Sequence, residues 1–226
     1  MTLSPHPPTG SGEHNEWCKE TVFELSLRIP MLIRHPGADP SAVGGTTRVF
    51  AENIDIYRTL ADLAGADKVE AGVDGVSLAP LLRSPAASTA AMLLSKPAAF
   101  GQHARCLRDA TNRYAPIDPF VTADACPATP RDQVDWMGYS IRTDDWRYTA
   151  WCKWNGTTLQ PRWDVINATE LYSHTLAATK GAPTDQNFDA WENVNVAAVP
   201  QHAQVVATLH AQLRAHFDQF ALPGPK

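Results

Sequence analysis

The first eleven residues carry no hydrophobic rhythm. They are rich in Pro, Ser, Thr and Gly and read as unstructured. Trp17 to Arg28 reads as a turn or short helix leading into a strand. Ile29-Pro30-Met31-Leu32-Ile33-Arg34 is then a short apolar run closed by His35-Pro36-Gly37, a turn signal. An unbroken apolar run of this kind suits a buried parallel strand. Residues 38–47 are small, polar and Gly-rich and read as a loop. The clearest helix follows. Asp55 can cap it, Ile56, Tyr57, Leu60, Leu63 and Ala64 form an apolar stripe with steps of three and four, and Gly65 suits the position just past its end. Strand, loop and helix in that order make one α/β unit.

Further on, residues 72–82 predict a turn and a short helix, and Ala98 to Gln102 another strand. Residues 105–135 are long, Pro-containing and weakly patterned, as functional or disordered loops are. Tyr139–Thr143 and Trp146–Trp151 both alternate and are rich in β-formers. Thr143-Asp144-Asp145 joins them as an antiparallel hairpin. Glu170 to Ser173 predicts a third strand. Val206, Leu209, Leu213, Phe217 and Phe220 recur at helical spacing, predicting a last helix that backs the sheet.

Composition narrows the classes. The 226 residues are 44% hydrophobic, enough for a sizeable core, with a formal net charge of −5 that gives no electrostatic reason for nucleic-acid binding. No apolar run approaches the ~20 residues of a membrane helix. The N-terminus lacks the charged and apolar regions of a signal peptide. None of Cys18, Cys106, Cys126 and Cys152 forms a C-x-x-C pair, so zinc is not indicated. Cys106 and Cys126 flank a polar loop and are either a disulfide or two unpaired thiols. Asn155-Gly156-Thr157 and Asn167-Ala168-Thr169 are glycan acceptors if the chain is secreted.

The segment Gly12-Glu13-His14-Asn15-Glu16-Trp17-Cys18-Lys19 resembles one found in the sulfatases of the alkaline-phosphatase superfamily, most closely the iduronate-2-sulfatase-like branch. Further matches follow in order. They are Thr21–Leu25, Arg28–Ile33, Asn53–Leu60 with Leu63-Ala64-Gly65, Asp74–Leu82, Met137–Thr143 with Trp146-Arg147-Tyr148, Glu170-Leu171-Tyr172 and Glu192–Ala197. In the family the first segment follows the last metal-binding motif. The resemblance therefore implies the C-terminal portion of a sulfatase, of α/β class: residues 12–105 as the end of the core, 106–135 as a long loop, and 136–226 as a small α+β subdomain of antiparallel sheet plus helix.

Sulfate-ester hydrolysis must bring a nucleophile to sulfur past negative oxygens and meet the charge leaving on oxygen. The family uses a formylglycine, a Ca2+ ion on carboxylates, and Lys and His donors. Formylglycine is made within Cys/Ser-x-Pro-x-Arg, and no cysteine or serine here has that pattern. The metal-binding aspartate expected ahead of Gly12 falls at His6, next to Pro7, and proline offers Ca2+ no side-chain ligand. No catalytic or metal residue is carried over, and the chain alone is expected to be inactive and poorly soluble without a partner over its exposed core face.

Lys19 matches the family lysine that contacts sulfate, as an ammonium with up to three donors can. His14 either shapes the same pocket or satisfies backbone groups nearby. Arg142 either pairs with a substrate carboxylate, or with a supporting acid such as Asp144 or Asp145, or forms a buried structural ion pair. Trp17 and Trp136 either border a sugar or pack. His202, His210 and His216 read as exposed helix residues. The implied partners are a sulfated sugar and the missing N-terminal portion, in a secreted, lysosomal or other export-route compartment. Two rival readings are a non-catalytic sulfated-glycan-binding protein derived from a sulfatase, and a superfamily phosphodiesterase.

Overall fold

The computed structural model describes residues 10, 11, 14, 17, 18, 21–66, 72–106, 126, 129–174 and 192–219. In chain order the elements are β1 (Gly10–Ser11), β2 (Trp17–Cys18), α1 (Glu24–Leu27), α2 (Asp55–Leu63), α3 (Ala79–Arg83), α4 (Pro85–Ser95), β3 (Ala99–Arg105), β4 (Trp136–Arg142), β5 (Trp146–Asn155), β6 (Gln160–Ser173) and α5 (Ala203–Asp218). They fall into two compact units. Among the described residues one is 30–99; the other joins those from 10 to 29 with those from 100 onward.

In the first unit Val49, Leu78 and Met92 form the core, with Met31, Ile33 and Leu81 packed against them. The apolar run at 29–34 is extended but pairs with no strand among the described residues, which corrects the expectation of a sheet strand. Its side chains alternate instead. Met31 and Ile33 turn inward while Leu32 is 67% exposed. Helix α2 stops where expected, with Gly65 at φ +67°, a conformation that glycine adopts without a Cβ penalty.

The orientation of α2 differs from the one its stripe predicts. Tyr57 and Leu60 face outward, while Asp55 and Thr59 are fully buried. Asp55 is therefore no helix cap. Its carboxylate accepts from the backbone N–H of Glu52 (2.8 Å) and Val76 (2.9 Å) and from Lys96 Nζ (2.5 Å), while Lys96 also pairs with Glu52 at 2.9 Å. The Thr59 hydroxyl donates to the Asp55 carbonyl at 2.7 Å and accepts from Leu78 N–H at 2.9 Å. Hydrogen bonds of this kind offset the cost of burying polar groups.

The second unit is built on a sheet of order β3-β4-β5-β6. The expected hairpin is present: β4 and β5 pair antiparallel with Tyr139 opposite Ala150 and Arg142 opposite Arg147, and Thr143 N–H bonds to the Trp146 carbonyl at 2.8 Å. The third strand is longer than its pattern suggests, running from Gln160, with register shifts against β5 near Cys152.

Because side chains alternate across a strand, Tyr139, Ile141, Tyr148, Ala150, Cys152 and Leu171 share one buried face. Helix α5 covers it through Leu209, Leu213 and Phe217, whose ring meets Tyr139 at 4.5 Å. The histidines on α5 and just before it are not the exposed residues expected. His210 Nδ1 bonds with Tyr148 Oη at 3.1 Å, His216 stacks on Phe100 at 3.6 Å, and His202 lies 5.1 Å from Trp146. Aromatic neighbours in the sheet draw these rings in. Cys106 and Cys126 form a disulfide. No helix among the described residues is long and apolar enough to cross a membrane.

Candidate functional site

The opposite face of that sheet presents Ser140 and Arg142 from β4, Arg147 and Thr149 from β5, and Glu170 and Tyr172 from β6. A bare sheet face of such groups would be solvated. Here Ser140, Arg147 and Thr149 are nearly inaccessible because α1 and the segment at Glu192 lie over them.

Glu24, the first residue of α1, is the pivot. Its Oε2 accepts from Arg142 Nε at 3.1 Å and from Arg147 Nη2 in a short bond. Its own backbone N–H donates to Glu192 Oε2 at 2.5 Å. Arg147 also donates from Nε to Glu192 Oε1 (2.7 Å) and from Nη1 to Ser140 Oγ (3.1 Å). His174 Nε2 lies 2.9 Å from Glu192 Oε1.

The electrostatics favour charge separation inside the cluster. Burial works to raise the Glu192 carboxyl, but Arg147 and the hydrogen bond from His174 outweigh it and bring it to about 2. Burial likewise opposes ionisation of Glu24, and Arg147 and Arg142 hold it below the usual carboxylate range. Burial lowers His174 despite its bond to Glu192. Two carboxylates thus face two guanidiniums, with the His174 imidazole against Glu192.

Glu24, His174 and Glu192 bring ligand atoms within 4.8 Å of one another, as a metal site would. Glu24 Oε2 and both Glu192 oxygens are already taken by Arg142, Arg147 and the Glu24 N–H, and Glu24 Oε1 lies 3.7 Å from Arg28, so the place of a cation is filled by guanidinium. These residues do not fit a Ca2+ centre, which needs several free oxygen ligands.

The N-terminal segment meets this cluster through aromatic rings. His14, at φ +55°, stacks on Phe23 at 4.0 Å with 9° between planes, and Phe23 meets the edge of Tyr172 at 5.8 Å. Arg142 is held by Glu24, not by the exposed Asp144 or Asp145; its Nη1 is buried with no hydrogen-bond partner. Lys19 lies outside the described residues, and for Trp17 only the backbone is described. Trp136 stands on the polar face with Lys153 Nζ 5.1 Å from its ring centre. Glu24, Arg147, His174 and Glu192 were not singled out from the sequence. Three of them sit inside matched motifs, and that was the available signal; His174 carried none.

Comparison with known proteins points one way. Residues 12–93 match the family model described as N-sulphoglucosamine sulphohydrolase, C-terminal. Human iduronate 2-sulfatase is 28% identical over 188 residues, covering 71% of this chain and 34% of that protein. Human N-acetylglucosamine-6-sulfatase is 37% identical over 65 residues, 29% of this chain and 11% of that one. Choline-sulfatase of Rhizobium meliloti is 41% identical over 73 residues, 31% of this chain and 14% of its own. A sulfatase structure from Bacteroides thetaiotaomicron superposes on 92% of this chain and 35% of its own, with a TM-score of 0.50 at 17% identity. The chain thus spans about a third or less of the length of these relatives.

Proposed function

We propose, from the premise that this chain belongs with the C-terminal portions of the sulfatases, that it serves sulfate-ester hydrolysis as the part that grips and walls the substrate. The substrate would be a sulfated sugar of the kind cleaved by the iduronate-2-sulfatase branch. Lys19 would contact the sulfate, with His14 and Arg142 bordering or bracing the same pocket.

The observation that carries this reading is the Glu24 pivot. It fixes α1, five residues beyond Lys19, to Arg142, Arg147 and Glu192, all drawn from other sulfatase-like segments. Such a buried network is retained only if all its members are present, because one unpaired member costs several kcal/mol.

The hydrolytic centre itself does not fit this chain. No Cys/Ser-x-Pro-x-Arg occurs in the 226 residues, and the buried carboxylates of Glu24 and Glu192 are committed to arginine. Formylglycine and Ca2+ would belong to the N-terminal portion that such proteins carry. That portion is also the partner expected over the exposed Leu32, Ile54, Tyr57 and Leu60 of the first unit. The disulfide fits an export-route compartment.

Titration of the purified chain with inorganic sulfate and a sulfated monosaccharide tests the reading. Binding is expected to be lost in Lys19→Ala, and turnover of an aryl sulfate or sulfated uronate is expected to be nil. Turnover by the chain alone, or sulfate binding indifferent to Lys19→Ala, overturns it.

A further inference from the structure

The fold treats the two glycan-acceptor triplets of β5 and β6 differently. Asn155 ends β5 and is half-buried. Its Oδ1 accepts from the N–H groups of Thr157 at 3.0 Å and Thr158 at 3.2 Å. The turn it holds lies close on the segment at 131–133, since a Cβ on Gly156 would stand 2.1 Å from Asp132 Cα. This carboxamide is used in building the turn.

Asn167 is left out of the ladder. Trp151 pairs with Ala168 and the next residue, Cys152, with Ile166. Asn167 is thus the extra residue of a β-bulge, and it is exposed. It lies on an outermost strand, because the sheet order is β3-β4-β5-β6. Such a strand offers unpaired backbone groups to any other chain.

The deterrents to pairing are unevenly spread along β6. Its start carries Pro161 and the exposed ion pair of Arg162 with Asp164 at 2.7 Å. Further along, the Thr169 carbonyl is taken by Asn195 Nδ2 at 3.0 Å. Between these points Ile166, Asn167 and Ala168 are all exposed and uncharged, and Ile166 shows 38% of its surface. Among the described residues no strand pairs with this stretch from outside.

We propose that Asn167 carries an N-linked glycan, and that the glycan screens the uncharged edge at 166–168 from pairing with another chain. Asn167-Ala168-Thr169 has the residues an oligosaccharide transferase requires. In the transfer, Asn167 Nδ2 bonds to the anomeric carbon of a lipid-diphosphate-linked oligosaccharide. The C–O bond to phosphate breaks, Nδ2 gives up one proton, and the lipid diphosphate leaves. The product is bulky and solubilising. On a bulged residue it adds that bulk beside the open backbone without displacing a ladder pair. The proposal rests on the export-route reading above and is independent of which ester is hydrolysed.

The test is secretion of the 226-residue chain from a eukaryotic host behind a removable export signal, with glycopeptide mapping and light scattering as readouts. Asn167 is expected to be occupied. Asn167→Gln and Thr169→Ala remove the acceptor in two different ways. Each is expected to speed aggregation about fivefold or more while melting with wild type. Adding Ala168→Lys to Asn167→Gln puts a charge on the same edge and is expected to restore the wild-type rate. All these forms share the exposed residues of the first unit, so differences between them read the edge. If one acceptor variant fails to melt cooperatively, the other decides.

An empty Asn167 in molecules whose Cys106–Cys126 disulfide has formed overturns the glycan and leaves the export route standing. Absence of both overturns the route and the glycan together. An occupied Asn167 whose loss changes aggregation less than twofold in both acceptor variants overturns the screening role.

Discussion

Arg147 and Glu192 are joined at 2.7 Å across 45 positions of sequence, with both side chains almost wholly removed from water. Between them they tie a strand of the hairpin to the segment that follows residue 191, and through Glu24 to α1.

Glu192→Gln is expected to destabilise the second unit by about 3–5 kcal/mol, because it leaves the Arg147 charge buried against one carboxylate instead of two. Denaturant unfolding checks this. A loss below about 1 kcal/mol would mean that the guanidinium finds water or another acceptor.

Acid should weaken the protein in two stages. The low native pKa of Glu192, about 2 against an ordinary 4.5, contributes stability that is fully present above 4.5. It is lost as the pH falls toward 2, to the extent of roughly 3 kcal/mol. His174, lowered from 6.5, contributes stability above 6.5 that is lost as the pH falls through its native value. A decline should therefore begin below pH 6.5 and steepen below 4.5. His174→Gln is expected to remove the first stage and leave the second. Melting temperature against pH for the two proteins reads this directly.

Gly75→Ala should destabilise the first unit by about 1–3 kcal/mol, as forced overpacking does. An added Cβ would stand 2.0 Å from the Ile54 carbonyl oxygen, backbone that cannot swing aside. A melting temperature equal to wild type would mean that the 54–55 turn yields.

Reducing the Cys106–Cys126 disulfide should cost about 3 kcal/mol, the loop-closure value for a separation of 20 residues. Cys152 is buried, and burial pushes its thiol up to about 12. Peptide mapping after alkylation is expected to find Cys106 linked to Cys126, and Cys152 labelled only in denaturant.

The parts of this fold legible in the sequence are those set by neighbours. The hairpin at Thr143 follows from local alternation and turn residues, and Gly65 from the backbone angle that a helix end requires. The facing of α2 was not legible. Asp55 is drawn inward by Val76 and Lys96, which lie 21 and 41 positions away and leave no mark on its own stretch. Helix α4 escaped notice because its Ala-rich sequence carries no stripe. The polar start of β6 hid its pairing with β5 for the same reason. The candidate site behaves alike. Glu24, the pair Arg142 and Arg147, and Glu192 sit in three separate motifs, and only the tertiary fold discloses that they neutralise one another.

The Asn195 side chain accepts from the Leu171 N–H at 3.0 Å and from Ala197 N–H at 2.9 Å, and donates to the Thr169 carbonyl at 3.0 Å, while Val196 N–H bonds to the Leu171 carbonyl at 2.9 Å. A carboxamide here impersonates the next strand. The outer margin of β6 at Thr169–Leu171 is thereby sealed against recruitment of a stranger's backbone, so runaway ribbon growth is blocked at that point.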